Sequence, residues 1–354
     1  LELESRRKEL DEIDQKIVKM LNERARVCKE IGKIKVQQKT GILDSAREKE
    51  VLEGVASGAT EAPPEGIKSI YREVISMCRS VQQPMVVAFM GPEGSFSHEA
   101  AMAAFGSSSQ YVSCRRISDI FTAVERGEAN TGVVPFENSL EGPVNETLDR
   151  LLEFPLAIIG ELQLRINQNL IVSAQTESLN QIERLYSHPQ ALAQCDNYIS
   201  KYLSHAEIIV TDSTARAAEH VLRDKNGGAI GSKIAAELNN LKVFASGIED
   251  HPNNYTRFIA IGREGPPTGG EKTSLLFSVD NVPGAVSAVL AELAKCDINI
   301  AMILSRPTEQ KPWEYFFFLD IEGSAGETKC SSALEAVRKK TRMLRVLGSY
   351  SRLL

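Results

Sequence analysis

From about Ser5 to Gln38, Leu10, Ile13, Ile17, Met20, Leu21, Ala25, Cys28, Ile31 and Ile34 recur at intervals of three and four. That period predicts one amphipathic helix of more than thirty residues, stopping before Thr40-Gly41. Such a helix cannot fold back on itself. A second helix is expected from Asp44 or Ser45, either of which can cap it, to about Ser57. After the Gly/Pro/Ala-rich break from Gly58 to Gly66, a third covers Ile67 to Val81. Two short helices can cover only part of the long stripe, so residues 1–83 read as an all-helical domain that needs a partner chain.

Beyond Pro84 the pattern changes to short β-rich runs alternating with helical ones: Val86–Met90, Ser97–Phe105, Thr131–Pro135, Leu156–Leu164 and Asn169–Ser173. It continues through Arg184–Tyr186, Ile208–Val210, Ala229–Gly231 and Arg257–Ile261. This is the alternation of an open α/β sheet, and residues 84–264 suffice for two lobes with a cleft between them. Gly262 to Lys272 reads as a linker. Residues 271–354 follow the order βαββαβ, with strands at 273–280, 298–305, 314–321 and 343–348 and helices at 283–295 and 327–341. That is the ferredoxin-like plait, α+β in class.

The 354 residues carry 41 basic and 47 acidic side chains, a net charge of −6, which excludes a globally basic nucleic-acid binder but not local cationic pockets. The charged N-terminal stretch is no secretory signal, and no apolar run reaches the ~20 residues of a membrane helix. Six dispersed cysteines without a C-x-x-C pair read as reduced thiols of a cytoplasmic protein. No metal-ligand spacing and no glycine-rich nucleotide fingerprint is present, so no cofactor is expected.

On the first helix, Arg24 and Lys35 lie 11 residues apart. At ~100° and ~1.5 Å per residue they share a face ~16 Å apart and could grip a small anion between them. Arg7 is 28 residues from Lys35. At ~42 Å it can serve only a second subunit's site. Each of these charges also suits a plain solvated face. Arg7, Asp14, Glu23-Arg24, Gly32-Lys33-x-Lys35, Asp44, Arg47-Glu48 and Gln82 together resemble the all-helical chorismate mutases, whose active form is an intertwined dimer. The resemblance implies that Arg24, Arg47 and the other subunit's Arg7 bind the two substrate carboxylates. It also implies that Lys35 and Gln82 donate to the ether oxygen, with Glu48 and Asp44 near the substrate hydroxyl. A unimolecular rearrangement needs no nucleophile, only a held conformer and stabilised charge. Cys78 stands where that family often has serine.

In the α/β region, Gly91-Pro92-Glu93-Gly94-Ser95-Phe96-Ser97 joins a strand to a helix and can present N–H groups and hydroxyls to an anion. Polar residues also follow the strands at Val134-Pro135-Phe136-Glu137-Asn138, Ser187-His188-Pro189-Gln190 and Asp212-Ser213-Thr214, where open-sheet ligands sit. His188 suits holding its turn, and His98 is expected to be exposed. With Thr256-Arg257-Phe258, these stretches resemble prephenate dehydratases along the whole region. The resemblance implies two lobes like a periplasmic binding protein and a cleft that removes the ring hydroxyl and carboxylate of prephenate. Thr256 would act as the acid, Arg257 would hold the anionic end, and Ser95, Asn138, Ser187, Gln194, Thr214 and Phe258 would contact substrate. For Ser187 and Thr214, strand capping is the competing role.

In the last region, Asp280-Asn281-Val282-Pro283-Gly284-Ala285-Val286 and Ser305-Arg306-Pro307 resemble the two phenylalanine-binding motifs of ACT domains, with Leu304 in place of a glutamate. Asn281, Gly284, Ala285, Val286, Ser305 and Arg306 are the implied effector contacts. The combined expectation is a cytoplasmic enzyme taking chorismate through prephenate to phenylpyruvate under inhibition by L-phenylalanine. It would act as a homodimer or a tetramer of paired dimers, without nucleic acid or membrane. Two alternatives stand beside it: a dehydratase whose helical region only dimerises, and a two-lobed anion-binding protein without catalysis.

Overall fold

The computed structural model describes residues 2–38, 45–263, 269–307 and 314–353. The chain forms two compact units: the first gathers the N-terminal segment through Val86 together with Phe105–Gln110, and the second holds the rest.

The first unit contains α1 (Glu2–Gln38), α2 (Ser45–Ser57) and α3 (Pro64–Gln82). Glu2 and Glu4 in the first turn of α1 and Lys35 in its last suit the helix dipole. Pro64 opens α3, where its missing N–H costs nothing, and Gln83 closes it in extended conformation ahead of Pro84. A Cβ at Gly32 would sit 3.0 Å from Cα and Cβ of Gln82, so glycine lets α1 approach the end of α3. Of α1, only Cys28 and Gly32 are buried, while Leu10, Ile13, Ile17, Val18 and Met20 are exposed.

The second unit has three sheets. The first lobe runs β1 (Val86–Met90), α4 (Phe96–Phe105), β2 (Gln110–Cys114), α5 (Ile117–Arg126), β3 (Thr131–Asn138), β4 (Gly142–Pro143), α6 (Asn145–Glu153) and β5 (Ala157–Arg165). The chain then crosses to a second lobe: β6 (Asn169–Val172), β7 (Arg184–Ser187), α7 (Pro189–Gln194), α8 (Asp196–Tyr202), β8 (Glu207–Val210), α9 (Thr214–Val221), β9 (Gly227–Gly231), α10 (Lys233–Leu238) and β10 (Lys242–Ser246). It returns through β11 (Tyr255–Gly262), which enters the first sheet between β3 and β5. The sheet orders are β2-β1-β3-β11-β5 and β10-β6-β9-β7-β8. Two crossovers, 166–168 and 247–254, therefore join the lobes.

The third sheet follows the expected order: β12 (Lys272–Ser278), α11 (Ala285–Lys295), β13 (Ile300–Pro307), β14 (Tyr315–Glu322), α12 (Thr328–Arg338) and β15 (Met343–Tyr350), arranged β13-β14-β12-β15. Leu275, Phe277, Leu293, Leu319 and Val337 form its core. Its β15 lies against β5 of the first lobe. A Cβ at Gly348 would fall 2.0 Å from the Ile158 carbonyl, and the Leu353 N–H donates to the Glu161 carbonyl at 2.7 Å.

Strands β2 and β10 escape the sequence reading because neither carries a buried apolar alternation. His98 corrects another expectation. It is 5% exposed, stacked on Phe89 with ring centroids 4.4 Å apart, and its Nδ1 accepts from the Gly94 N–H. Burial holds its pKa below the usual histidine range, so it serves as a neutral acceptor within the loop.

Candidate active sites

Three helices of the first unit enclose a pocket of about 330 Å³. From α1 come Arg24 and Lys35, from α2 Arg47 and Glu48, and from α3 Cys78, Arg79 and Gln82. The 11-residue spacing thus brings both α1 cations to one site. Arg24 Nη1 donates to Cys78 Sγ at 2.5 Å. Burial pushes the Cys78 thiol up to about 11, so it stays neutral and accepts from Arg24. Arg79, which the sequence reading missed, is 4% exposed. Its Nε lies 3.4 Å from Glu48 Oε1, its Nη2 donates to the Phe105 carbonyl, and its guanidinium sits over the Phe105 ring. Gln82 Oε1 is buried without a hydrogen-bond partner among the described residues. Arg24, Lys35, Arg47 and Arg79 bring four cations to the pocket, with Arg79 beside Glu48 and Arg47 also paired to Glu50 at 2.8 Å, a donor set that suits a compact anion with several acceptor oxygens. Arg7 is exposed and does not line the pocket, and Asp44 lies outside the described residues.

The second site is a cleft of about 300 Å³ in the second unit, lined from both lobes. Ser95, Asn138, Thr256 and Phe258 come from the first lobe, and His188, Gln190, Gln194, Asp212, Ser213 and Thr214 from the second. Asn138 organises its floor. Its Oδ1 accepts from the Leu140 and Glu141 N–H groups at 2.9 and 3.1 Å, and its Nδ2 donates to Thr256 Oγ1 at 2.9 Å and Asn254 Oδ1 at 2.8 Å. The Thr256 oxygen thereby accepts one hydrogen bond, and its own O–H can still donate. Ser95 Oγ donates to the Met90 carbonyl and accepts from the His98 N–H. Ser213 caps α9, placing Thr214 in the first turn. His188 holds its turn as expected, its Nδ1 accepting from the Gln190 N–H at 3.3 Å.

Two expected contacts do not reach this cleft. Ser187 is fully buried and donates to the Ile230 carbonyl at 2.9 Å, which is the capping role. Arg257 points the other way, because successive side chains of a strand alternate: Thr256 and Phe258 face the cleft, so Arg257 faces the third sheet. There its Nε lies 2.7 Å from Glu161 Oε2 and its Nη1 2.6 Å from Asp320 Oδ2. Its Nη2 donates to Tyr350 Oη at 3.0 Å, and its guanidinium covers the Phe136 ring. Lys272 closes the cluster on Glu161 at 2.6 Å. Two cations and two anions balance there, so no charge is left for a substrate.

A third, small pocket in the last sheet is lined by Val279, Asp280, Asn281, Val282, Ala285, Val286, Glu314, Tyr315 and Phe317. Gly284 caps α11 with φ 82°, a conformation that favours glycine. Ser305 and Arg306 do not line this pocket. Arg306 Nη2 instead donates to both Asp149 oxygens on α6, at 2.8 and 2.7 Å. Arg345 from β15 donates to the Leu151, Phe154 and Leu156 carbonyls at the end of α6, so the third sheet moors that helix at two points.

Among the described residues no group of His, Cys, Asp and Glu is placed to hold a metal, and no helix is long and apolar enough to cross a membrane. Gln168, also missed from sequence, is 2% exposed and lines the cleft. Its position on the first crossover is the signal that could have found it.

Three family models match in order: chorismate mutase type II over residues 6–83, prephenate dehydratase over 87–266 and the ACT domain over 273–337. A bifunctional chorismate mutase/prephenate dehydratase from Aquifex aeolicus is 42% identical over 359 residues, covering 100% of this chain and 99% of that protein. The solved structure of an Arthrobacter aurescens prephenate dehydratase in complex with L-Phe is 32% identical with a TM-score of 0.69, covering 76% of this chain and 90% of that one. A structure described as a novel type of quorum-quenching acylase is 31% identical with a TM-score of 0.69, covering 75% and 98%.

Proposed function

The chain belongs to the bifunctional chorismate mutase/prephenate dehydratases, and on that premise we propose how its residues divide the work. The enzyme rearranges chorismate to prephenate and converts prephenate to phenylpyruvate. The assignment rests on domains at 1–83, 84–264 and 271–354.

In the helical pocket, Arg24 and Arg47 hold substrate carboxylates, and Arg7 of a second copy completes the site. Lys35 and Gln82 stabilise the ether oxygen as negative charge grows on it. Arg79 fixes Glu48, which with Asp44 meets the substrate hydroxyl. The observation that carries this reading is the convergence of Arg24, Lys35, Arg47 and Gln82 from three helices on one pocket. The exposed stripe of α1 supports a homodimer, since a second copy would cover it. Lys35→Ala tests the site. Chorismate consumption should fall by about two orders of magnitude, as for loss of one oxyanion donor, with dehydration of added prephenate unchanged. Unchanged mutase activity would leave the helical domain as a dimeriser.

In the cleft, prephenate loses its ring carboxylate as CO₂, and the released electron pair completes the aromatic ring as the C–O bond breaks. The departing hydroxide takes a proton delivered through Thr256, whose oxygen is already bonded by Asn138. Ser95, Asn138, Gln194, Thr214 and Phe258 shape the site around it. Hydrolase chemistry is less well supported, because Ser95 donates to a backbone carbonyl rather than to a base. Thr256→Ala should abolish phenylpyruvate formation and Thr256→Ser should restore much of it. Equal losses in both would count against a hydroxyl donor.

L-Phenylalanine inhibits from the third domain, binding near Asn281, Ala285 and Val286, with Arg306 acting on the dehydratase through Asp149. The protein is cytoplasmic and needs no cofactor.

A further inference from the structure

We propose that Gln168 is a further substrate contact of the dehydratase, its side-chain oxygen accepting the hydrogen bond of the ring hydroxyl that is lost. The inference rests on the cleft being the dehydratase site. Gln168 is 2% exposed and lines that cleft, yet its Oε1 has no hydrogen-bond partner among the described residues. A buried amide oxygen left unpaired is costly, and an apo site that carries one is built to be completed by a ligand.

The side chain is held in place from both ends. Its Nε2 donates to Gln194 Oε1 at 3.1 Å, which directs Oε1 away from Gln194. Its backbone N–H donates to Glu249 Oε2 at 2.9 Å, and its carbonyl accepts from the Ile248 N–H at 3.0 Å. Ile248 and Glu249 lie on the second crossover and Gln168 on the first, so the acceptor is fixed where the two lobes meet.

The chemistry of the substrate selects the partner. Prephenate at neutral pH carries two carboxylates and a keto group, all acceptors, and one donor, the ring hydroxyl. An orphan acceptor enclosed at the cleft wall has only that group of the substrate to receive. Thr256 donates to the same oxygen from the first lobe. Gln168 taking its hydrogen fixes the rotation of the hydroxyl, so that a lone pair faces Thr256 before the bond breaks. Gln168 is thus a positioning and specificity contact, and the proton is delivered by Thr256.

The test uses the full chain and two ring-saturated analogues of prephenate that cannot aromatise, one with the ring hydroxyl and one without. Wild type should bind the hydroxylated analogue about tenfold more tightly, the scale of one satisfied buried acceptor. Gln168→Met, similar in shape but without the acceptor, should bring that ratio near one and lower kcat/KM for dehydration by a similar factor. A ratio unchanged in Gln168→Met overturns the proposal. Gln168→Glu gives a second readout should the first variant fold poorly. Its carboxylate repels the dianion at neutral pH and regains the contact on protonation, so kcat/KM should rise on acidification where wild type does not. A wild-type profile in that variant also overturns the proposal. If wild type binds neither analogue and Thr256→Ala still makes phenylpyruvate, the cleft assignment falls, and this contact with it.

Discussion

Replacing Asp320 by asparagine should destabilise the second unit while leaving the chemistry of the cleft alone. Asp320 is 1% exposed at its side chain, with Oδ2 2.6 Å from Arg257 Nη1 and Oδ1 accepting from Ser274 Oγ. At that separation the Coulomb attraction is about 6 kcal/mol with an effective dielectric of about 20. Desolvation of both ions offsets much of it, and removing one member of such a buried pair typically costs about 3–5 kcal/mol because the other is left uncompensated. Asparagine keeps the shape and can still accept from Ser274, so the lower end applies, about 3 kcal/mol. In a unit of this size that is roughly 6–12 °C in melting temperature. Arg257→Met should destabilise comparably. The double variant should lose less than the sum by about 2 kcal/mol, since Lys272 and Glu161 still pair. The assay is thermal and urea unfolding of all three variants, with KM for prephenate measured well below the transitions. Additive losses would refute the ion pair. A tenfold rise in KM with an unmoved transition would return Arg257 to the substrate.

Gln82→Glu should make mutase activity acid-dependent: at neutral pH the carboxylate opposes the developing charge, so kcat/KM should fall about 100-fold and recover toward about pH 5 in a pH–rate profile. Burial, reinforced by Glu237, raises the Glu99 carboxyl to about 7 from an ordinary 4.5, with Lys233 opposing. Its contribution is therefore full below about pH 4.5 and lost as pH rises through about 7. Glu99→Gln should gain roughly 3 kcal/mol over wild type above that window and nothing below it, read from paired unfolding curves in acid and mild base. Asp149→Ala should raise the phenylalanine concentration for half-inhibition of dehydration about tenfold, with the uninhibited rate within about twofold. An unchanged inhibition curve would remove Arg306–Asp149 from the response.

The order of elements in the last domain was readable because each strand and helix is short, periodic and punctuated by glycine, proline or polar residues. The long α1 was readable for the same reason, and its exposed stripe matches the argument that two short helices cannot cover it. Side-chain direction was harder. Thr256, Arg257 and Phe258 look like one motif in sequence, and only strand alternation separates the cleft residues from the buried cation between them. Arg79 resembles any other charge on an amphipathic helix until Phe105 and Glu48 are folded against it. Gln168 stands in a polar crossover, whose place between the lobes marks the residue but not the enclosure of its oxygen.

Because β11 serves the cleft with one residue and the third sheet with the next, its length is fixed more firmly than its composition. One residue inserted ahead of Thr256 would exchange the two faces. The guanidinium would enter the cleft, and a hydroxyl would be left opposite Asp320 and Glu161. A single substitution on this strand touches one face, whereas a shift of register would break both functions in a single step.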